Sequence, residues 1–135
     1  MASIANVMAA IKVSLATISG LHAHAEQPDQ INCPAAWPAL VGVAFDETFD
    51  SDEAMRFEIN VAATSAANGL AKGYALSYPY MSGSGTKSIK TALELDPTLG
   101  GVVEALVVSE AAAIGLYETA GLTYIGGKLT LLVYP

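Results

Sequence analysis

Apolar residues near the start of the chain recur at helical spacing. Ile4, Val7, Met8, Ile11, Leu15 and Ile18 form one stripe over residues 3–18, with Ser3 placed to cap it and Gly20 to end it. The period then changes. "LHAHA" at 21–25 alternates every second residue and predicts a short strand with His22 and His24 on one face. "EQPDQINCPAAWP" holds three prolines and reads as a loop with extended pieces. Strands are expected at 39–45 and at 56–62, where Phe57, Ile59 and Val61 share a face. The segment between them, "DETFDSDE", has five acids in eight residues: Asp46, Glu47, Asp50, Asp52 and Glu53. Two strands joined this way predict an antiparallel hairpin with an acidic tip.

Residues 65–81 read as a second helix with Leu70, Tyr74, Tyr78 and Met81 on its core side. Gly69 and Gly73 would let another backbone approach, and Pro79 should end or kink the last turn. A short helix is expected over 86–95, stopped by Asp96-Pro97, then a strand over about 102–110. "LTYIGGKLTLLVYP" supplies one or two closing strands, with Gly126-Gly127 marking a bulge or turn. The order α-β-β-β-α-α-β-β predicts one α+β domain spanning 1–135, a mostly antiparallel sheet with helices on one face.

Composition adds a hint about surroundings. The chain is 53% hydrophobic and only 14% charged, below the usual quarter for charged residues, so much of its surface is expected to meet protein. Its net charge of −7 leaves no basic stripe to neutralise phosphates, which argues against nucleic-acid binding. An acidic wall that repels DNA stays compatible with that charge. No apolar run approaches the roughly 18 residues of a bilayer span, and the first residues lack the early positive charge of a signal peptide. A soluble, cytoplasmic protein with no membrane partner is the expectation. The single cysteine, Cys33, excludes an internal disulfide and a multi-cysteine zinc site.

The candidate chemistry is thin. "SGSGTKS" at 82–88 looks like a phosphate-binding loop, but Thr86 stands where the glycine before the lysine is needed. A helix, not a buried strand, is predicted to precede it. Gly83 and Gly85 are better read as turn residues, with Ser84 or Thr86 capping the next helix. His22 and His24 have tolerable spacing for metal ligands, with no evident third. "MSGSG" puts serines at the wrong offsets for a nucleophile elbow, and the clustered acids of 46–53 lack the burial that would separate two carboxyl pKa values. No cofactor, no metal and no catalytic residue are expected.

One stretch is more specific. "SGSGTKSIKTALELDPTLGGVVEALVVSEA", together with the final "YIGGKLTLLVYP", resembles small proteins encoded among the head–tail joining and tail genes of long-tailed bacteriophages. Ser88-Ile89-Lys90, Ala92-Leu93-Glu94 and Asp96-Pro97-Thr98-Leu99-Gly100-Gly101 fit that family's pattern; "SYPYM" in 65–81 departs from it. The resemblance implies a tail terminator. Such a protein is a homo-oligomeric ring, a hexamer, that caps the tail tube, stops its polymerisation and docks the head connector. DNA passes through its lumen without specific binding. A head-completion or stopper protein at the neck is the second role that the resemblance allows. A small cytoplasmic ligand-binding or enzymatic α+β domain is the alternative from another class. The first role implies a virion protein, assembled in the host cytoplasm, whose acidic tip at 46–53 faces the lumen or a neighbouring ring.

Overall fold

The computed structural model describes residues 3–44, 54–119 and 121–134. Helix α1 (Ile4–Leu15) begins at Ser3, whose Oγ accepts a hydrogen bond from the Asn6 backbone N–H at 3.1 Å. It buries Val7, Ile11 and Leu15 as the stripe predicts; Ile18 lies beyond its last turn but is buried as well. Strand β1 (His22–Ala23) is only two residues long and pairs in parallel with the start of β2 (Ala35–Ala44). β2 therefore starts four residues earlier than the alternation suggests. Pro38 sits inside it, which an edge position tolerates because no ladder bond is needed on that side.

β2 runs antiparallel to β3 (Ala54–Ser65), which pairs antiparallel with β5 (Leu122–Tyr134), which pairs antiparallel with β4 (Ala105–Thr119). The sheet order is β1-β2-β3-β5-β4. It is a five-stranded mixed sheet in a single α+β domain, in the element order read from the sequence. Phe57, Ile59 and Val61 do share a face. Met55 joins them from the same strand, Leu129, Leu131 and Val133 from β5, and Leu106 and Val108 from β4. The helices α1, α2 (Leu70–Met81) and α3 (Ile89–Glu94) cover this face and complete the main core with Val7, Ile11, Leu15, Tyr80, Ile89 and Leu93. Burying these branched and aromatic side chains contributes about 1.5–3 kcal/mol each before the entropy of ordering them is charged.

The second helix corrects the sequence reading twice. Residues 66–68 form a 3-10 turn capped by Ser65, and α2 starts only after Gly69, whose φ of +95° interrupts the helix. Its inward face is Gly73, Ser77 and Tyr80, whereas Leu70 and Tyr78, expected inside, are exposed at 50% and 57%. The physical reason is proximity. A Cβ on Gly73 would overlap the Ile125 side chain, so the helix comes down on its smallest residues, and Ser77 Oγ returns its hydrogen bond to Gly73 O at 2.9 Å. Met81 does pack against the core, as expected. Pro79 lies within the last turn, and the helix continues to Met81.

β4 is the second surprise, because it runs to Thr119 and not to about 110. Register shifts between Val108 and Glu110, and between Ala112 and Gly115, let it follow β5 past Gly126-Gly127. Those glycines sit in one continuous strand, so the bulges fall on its partners. Gly126 is there because any Cβ would collide with the Val61 backbone carbonyl. On the face away from the helices a small second cluster forms. Trp37 meets the Tyr124 ring edge-to-face with centroids 6.2 Å apart, and Tyr117 stacks on Tyr124 at 5.5 Å.

Candidate functional site: the two edges of the sheet

The stretch 82–101 is a turn, a helix cap and a second turn. Gly83 and Gly85 lie exposed after α2, with Gly85 at φ +108°. The cap of α3 is neither Ser84 nor Thr86 but Ser88. Its buried hydroxyl accepts from the Thr91 N–H at 3.1 Å and donates to Ser82 O at 2.6 Å, tying the turn to the helix it starts. Ile89 is fully buried beside it. Lys87 Nζ rests 5.9 Å from the Tyr80 ring centroid, as a cation over an aromatic face. After α3, Asp96 accepts from Thr98 Oγ1 at 3.2 Å and from the Gly100 N–H at 2.8 Å, and Pro97 is exposed between them. Leu99, Gly100 and Gly101 all have positive φ, of 50°, 69° and 92°, while the Leu99 side chain is buried. This motif turns the chain from α3 towards β4.

The histidines do not form a ligand pair. His22 is exposed with Nδ1 3.1 Å from Pro34 O; His24 lies beyond the strand, and its Nε2 is shut off from water without a hydrogen-bond partner. Burial first, then Lys12 and His22, hold the His24 pKa below the usual imidazole value. No three His, Cys, Asp or Glu among the described residues are grouped to hold a metal. Burial pushes the Cys33 thiol upward, away from the thiolate a nucleophile needs. Asp46, Glu47, Asp50, Asp52 and Glu53 lie outside the described residues; the strands on either side of them are antiparallel partners, ending in the Ala44–Ala54 pair.

The unusual surface lies at the sheet's borders. β4 is an edge along its whole length of 15 residues, and carries exposed Val107 (46%), Ile114 (37%) and Leu116 (54%). On the other side β1 covers only Ala35 and Ala36, so β2 from Trp37 to Val43 is a second open edge, with Leu40 and Val41 exposed. Long apolar edges are templates for another strand, and proteins that stay apart usually blunt them with charge, proline or cover. The two edges differ in charge. β4 carries Glu110 and Glu118 and no Lys, Arg or His, although Lys128 of the neighbouring β5 lies over the Tyr117 ring. The β2 edge carries no charged residue between Asp29 and Asp46, and α1, which packs against it, has Lys12 and no acid.

One side-chain arrangement touches the β4 edge directly. Glu94, the last residue of α3, accepts the Val108 backbone N–H on one carboxylate oxygen at 3.3 Å and the Lys90 ammonium on the other. The Lys90 hydrogen bond, assisted by that from Val108, holds the carboxyl below the usual carboxylate range against a smaller opposing effect of burial. Sequence reasoning could place Lys90 and Glu94 one helical turn apart, but nothing local signalled that the carboxylate would reach a strand 14 residues further on.

No protein-family model matches the chain, and no curated protein matches it significantly. Among the described residues no helix is long and apolar enough to cross a membrane.

Proposed function

We propose that this chain is a non-enzymatic structural subunit of a long-tailed phage virion, a tail terminator whose copies join side by side into a ring on the end of the tail tube. The observation that carries the reading is the pair of unlike open edges on opposite sides of one sheet. Two acidic β4 edges would repel each other, whereas an acidic edge beside a neutral one does not, so copies are expected to join head to tail. Head-to-tail contacts close into rings when the rotation per copy allows it. The likeness of residues 82–101 to phage tail and head–tail joining proteins names which ring, and the low charge of the chain suits a subunit flanked by two neighbours. In that ring the acids of 46–53 would line the DNA path or meet the next ring, where negative charge gives phosphates nowhere to hold.

The test is tube capping. Tail-tube protein of the same phage is polymerised with and without the purified chain and imaged by negative stain. Capped ends and shorter tubes are expected. Tubes of unchanged length with bare ends would overturn the terminator role, and a chain that binds the portal-side connector but not the tube would move it to the neck.

A further inference from the structure

We infer that the Glu94 carboxylate guards the β4 edge, occupying the Val108 N–H in the free chain and yielding it when the open β2 edge, Trp37–Val43, of a second copy pairs along β4. The inference rests on the assembly reading above and adds to it which strands meet and what delays them.

β4 has its ladder with β5 on one side, and on the other side, among the described residues, one backbone donor is held by a side chain from a different element. That donor belongs to Val108, immediately before the first register shift. A strand adding to β4 needs this N–H and meets a carboxylate there instead. Lys90 is the positioning residue. It holds the other carboxylate oxygen, so Glu94 stays aimed at the strand. Beyond Ser109 no backbone donor is covered in this way among the described residues, although Tyr117 Oη donates to Ala113 O within the second register shift. The exposed Ile114 and Leu116 lie on that stretch, which therefore offers the place where pairing starts.

The second copy is the occupant for three reasons. The β2 edge is open over Trp37–Val43, it carries no charge to oppose Glu110 or Glu118, and it lies on the far side of the same sheet, so each copy offers one edge and accepts at the other. Pro38 lacks an N–H, and the register shift at Val41 bends the β2 edge, so the pairing is interrupted and releasable. Strand addition of this kind draws affinity from main-chain hydrogen bonds and selectivity from the side chains that alternate along it.

The experiment compares the intact chain with Glu94→Ala and Glu94→Gln by sedimentation velocity over a concentration series, with amide hydrogen exchange read by mass spectrometry. Circular dichroism first establishes which variants are folded. Glu94→Ala frees the Val108 N–H and is expected to self-associate at a concentration lower by on the order of tenfold. Glu94→Gln keeps one oxygen that can accept from Val108 but gives Lys90 no second acceptor, so its association is expected to lie between that of the parent and that of Glu94→Ala. In the associated sample new protection is expected at 37–43 and 106–118. A Glu94→Ala chain that associates no more readily than the parent overturns the guard. Association with new protection confined to other segments overturns the edge pairing while leaving assembly standing. If no form associates and none caps tubes, the assembly reading falls and this inference with it.

Discussion

Gly73→Ala tests the closest approach in the fold, that of α2 on the sheet. The new Cβ would overlap Ile125 Cδ1 and lie 3.1 Å from both Ile125 Cβ and Cγ1. Ile125 is fully buried, so its side chain has little room to turn away. Overpacking of this kind costs about 1–3 kcal/mol. Replacing a glycine within a helix by alanine returns about 1 kcal/mol. The net expectation is a loss of about 0–2 kcal/mol, and the sign alone is therefore a weak test. The Ile125→Val background makes it sharp, because it removes the Cδ1 that suffers the worst overlap and leaves contacts that need only a small shift. Ile125→Val by itself should cost about 0.5–1.5 kcal/mol. In that background Gly73→Ala should be neutral or stabilising, so the double variant is more stable than the sum of the singles by about 1–2 kcal/mol. For a chain of 135 residues, 1 kcal/mol moves Tm by about 3–4 °C, which differential scanning calorimetry resolves readily. Gly73→Ala raising Tm equally in both backgrounds would show that α2 does not rest on Ile125.

Two further outcomes follow from the turn and from the half-buried histidine. Gly101→Val puts a β-branched residue at φ +92° where the new Cβ meets no atom within 4 Å, so the cost is backbone strain alone, about 1–3 kcal/mol; an unchanged Tm would count against a turn that sets the start of β4. His24 has a folded pKa below its ordinary value of 6.5, so as pH falls below 6.5 the unfolded chain takes a proton that the folded one resists. Tm should decline between pH 7 and 5, and His24→Gln should flatten part of that decline; identical profiles would mean that the ring is open to water.

What the sequence disclosed depended on the range of the interaction behind each feature. The α1 stripe and the alternation of Phe57, Ile59 and Val61 are local periodicities; the second appears as read, and the first does in Val7, Ile11 and Leu15, while Ile4 is exposed and Ile18 lies beyond the helix. The stop at Asp96-Pro97 and the turn through Gly101 are also local, since the Asp96 carboxylate caps residues within four positions. The inward face of α2 is not legible from apolar size, which points to Leu70 and Tyr78. A glycine and a serine face inward there because Ile125, far off in sequence, occupies the space a larger residue would need. The extension of β4 through "AAAIGLYET" was missed for a related reason. Alanines and a glycine carry little strand preference, and pairing with β5 is what extends them. The open edges of the sheet are not legible in the sequence either, because an edge is a property of strand order.

Strand order also explains why the motif residues of 88–101 concentrate where they do. Ser88 starts α3, Ile89 and Leu93 seat it on the core, and the Asp96–Gly101 turn sends the chain directly into β4. That sequence of constraints fixes the end of α3 beside the strand it precedes, and puts Glu94 within reach of Val108. A helix six residues long has little stability of its own, so its position is set by what it packs against. Glu94 consequently reports on the edge. If the guard is removed by another strand, α3 loses one of its ties to β4 while Ser88, Ile89 and Leu93 still hold it in place. The lost tie is a hydrogen bond near the surface, worth about 1–1.5 kcal/mol, small against the several ladder bonds a pairing strand would add. On the assembly proposed above, an exchange with that balance would disfavour pairing of a free subunit and still let a ring, once begun, run to closure.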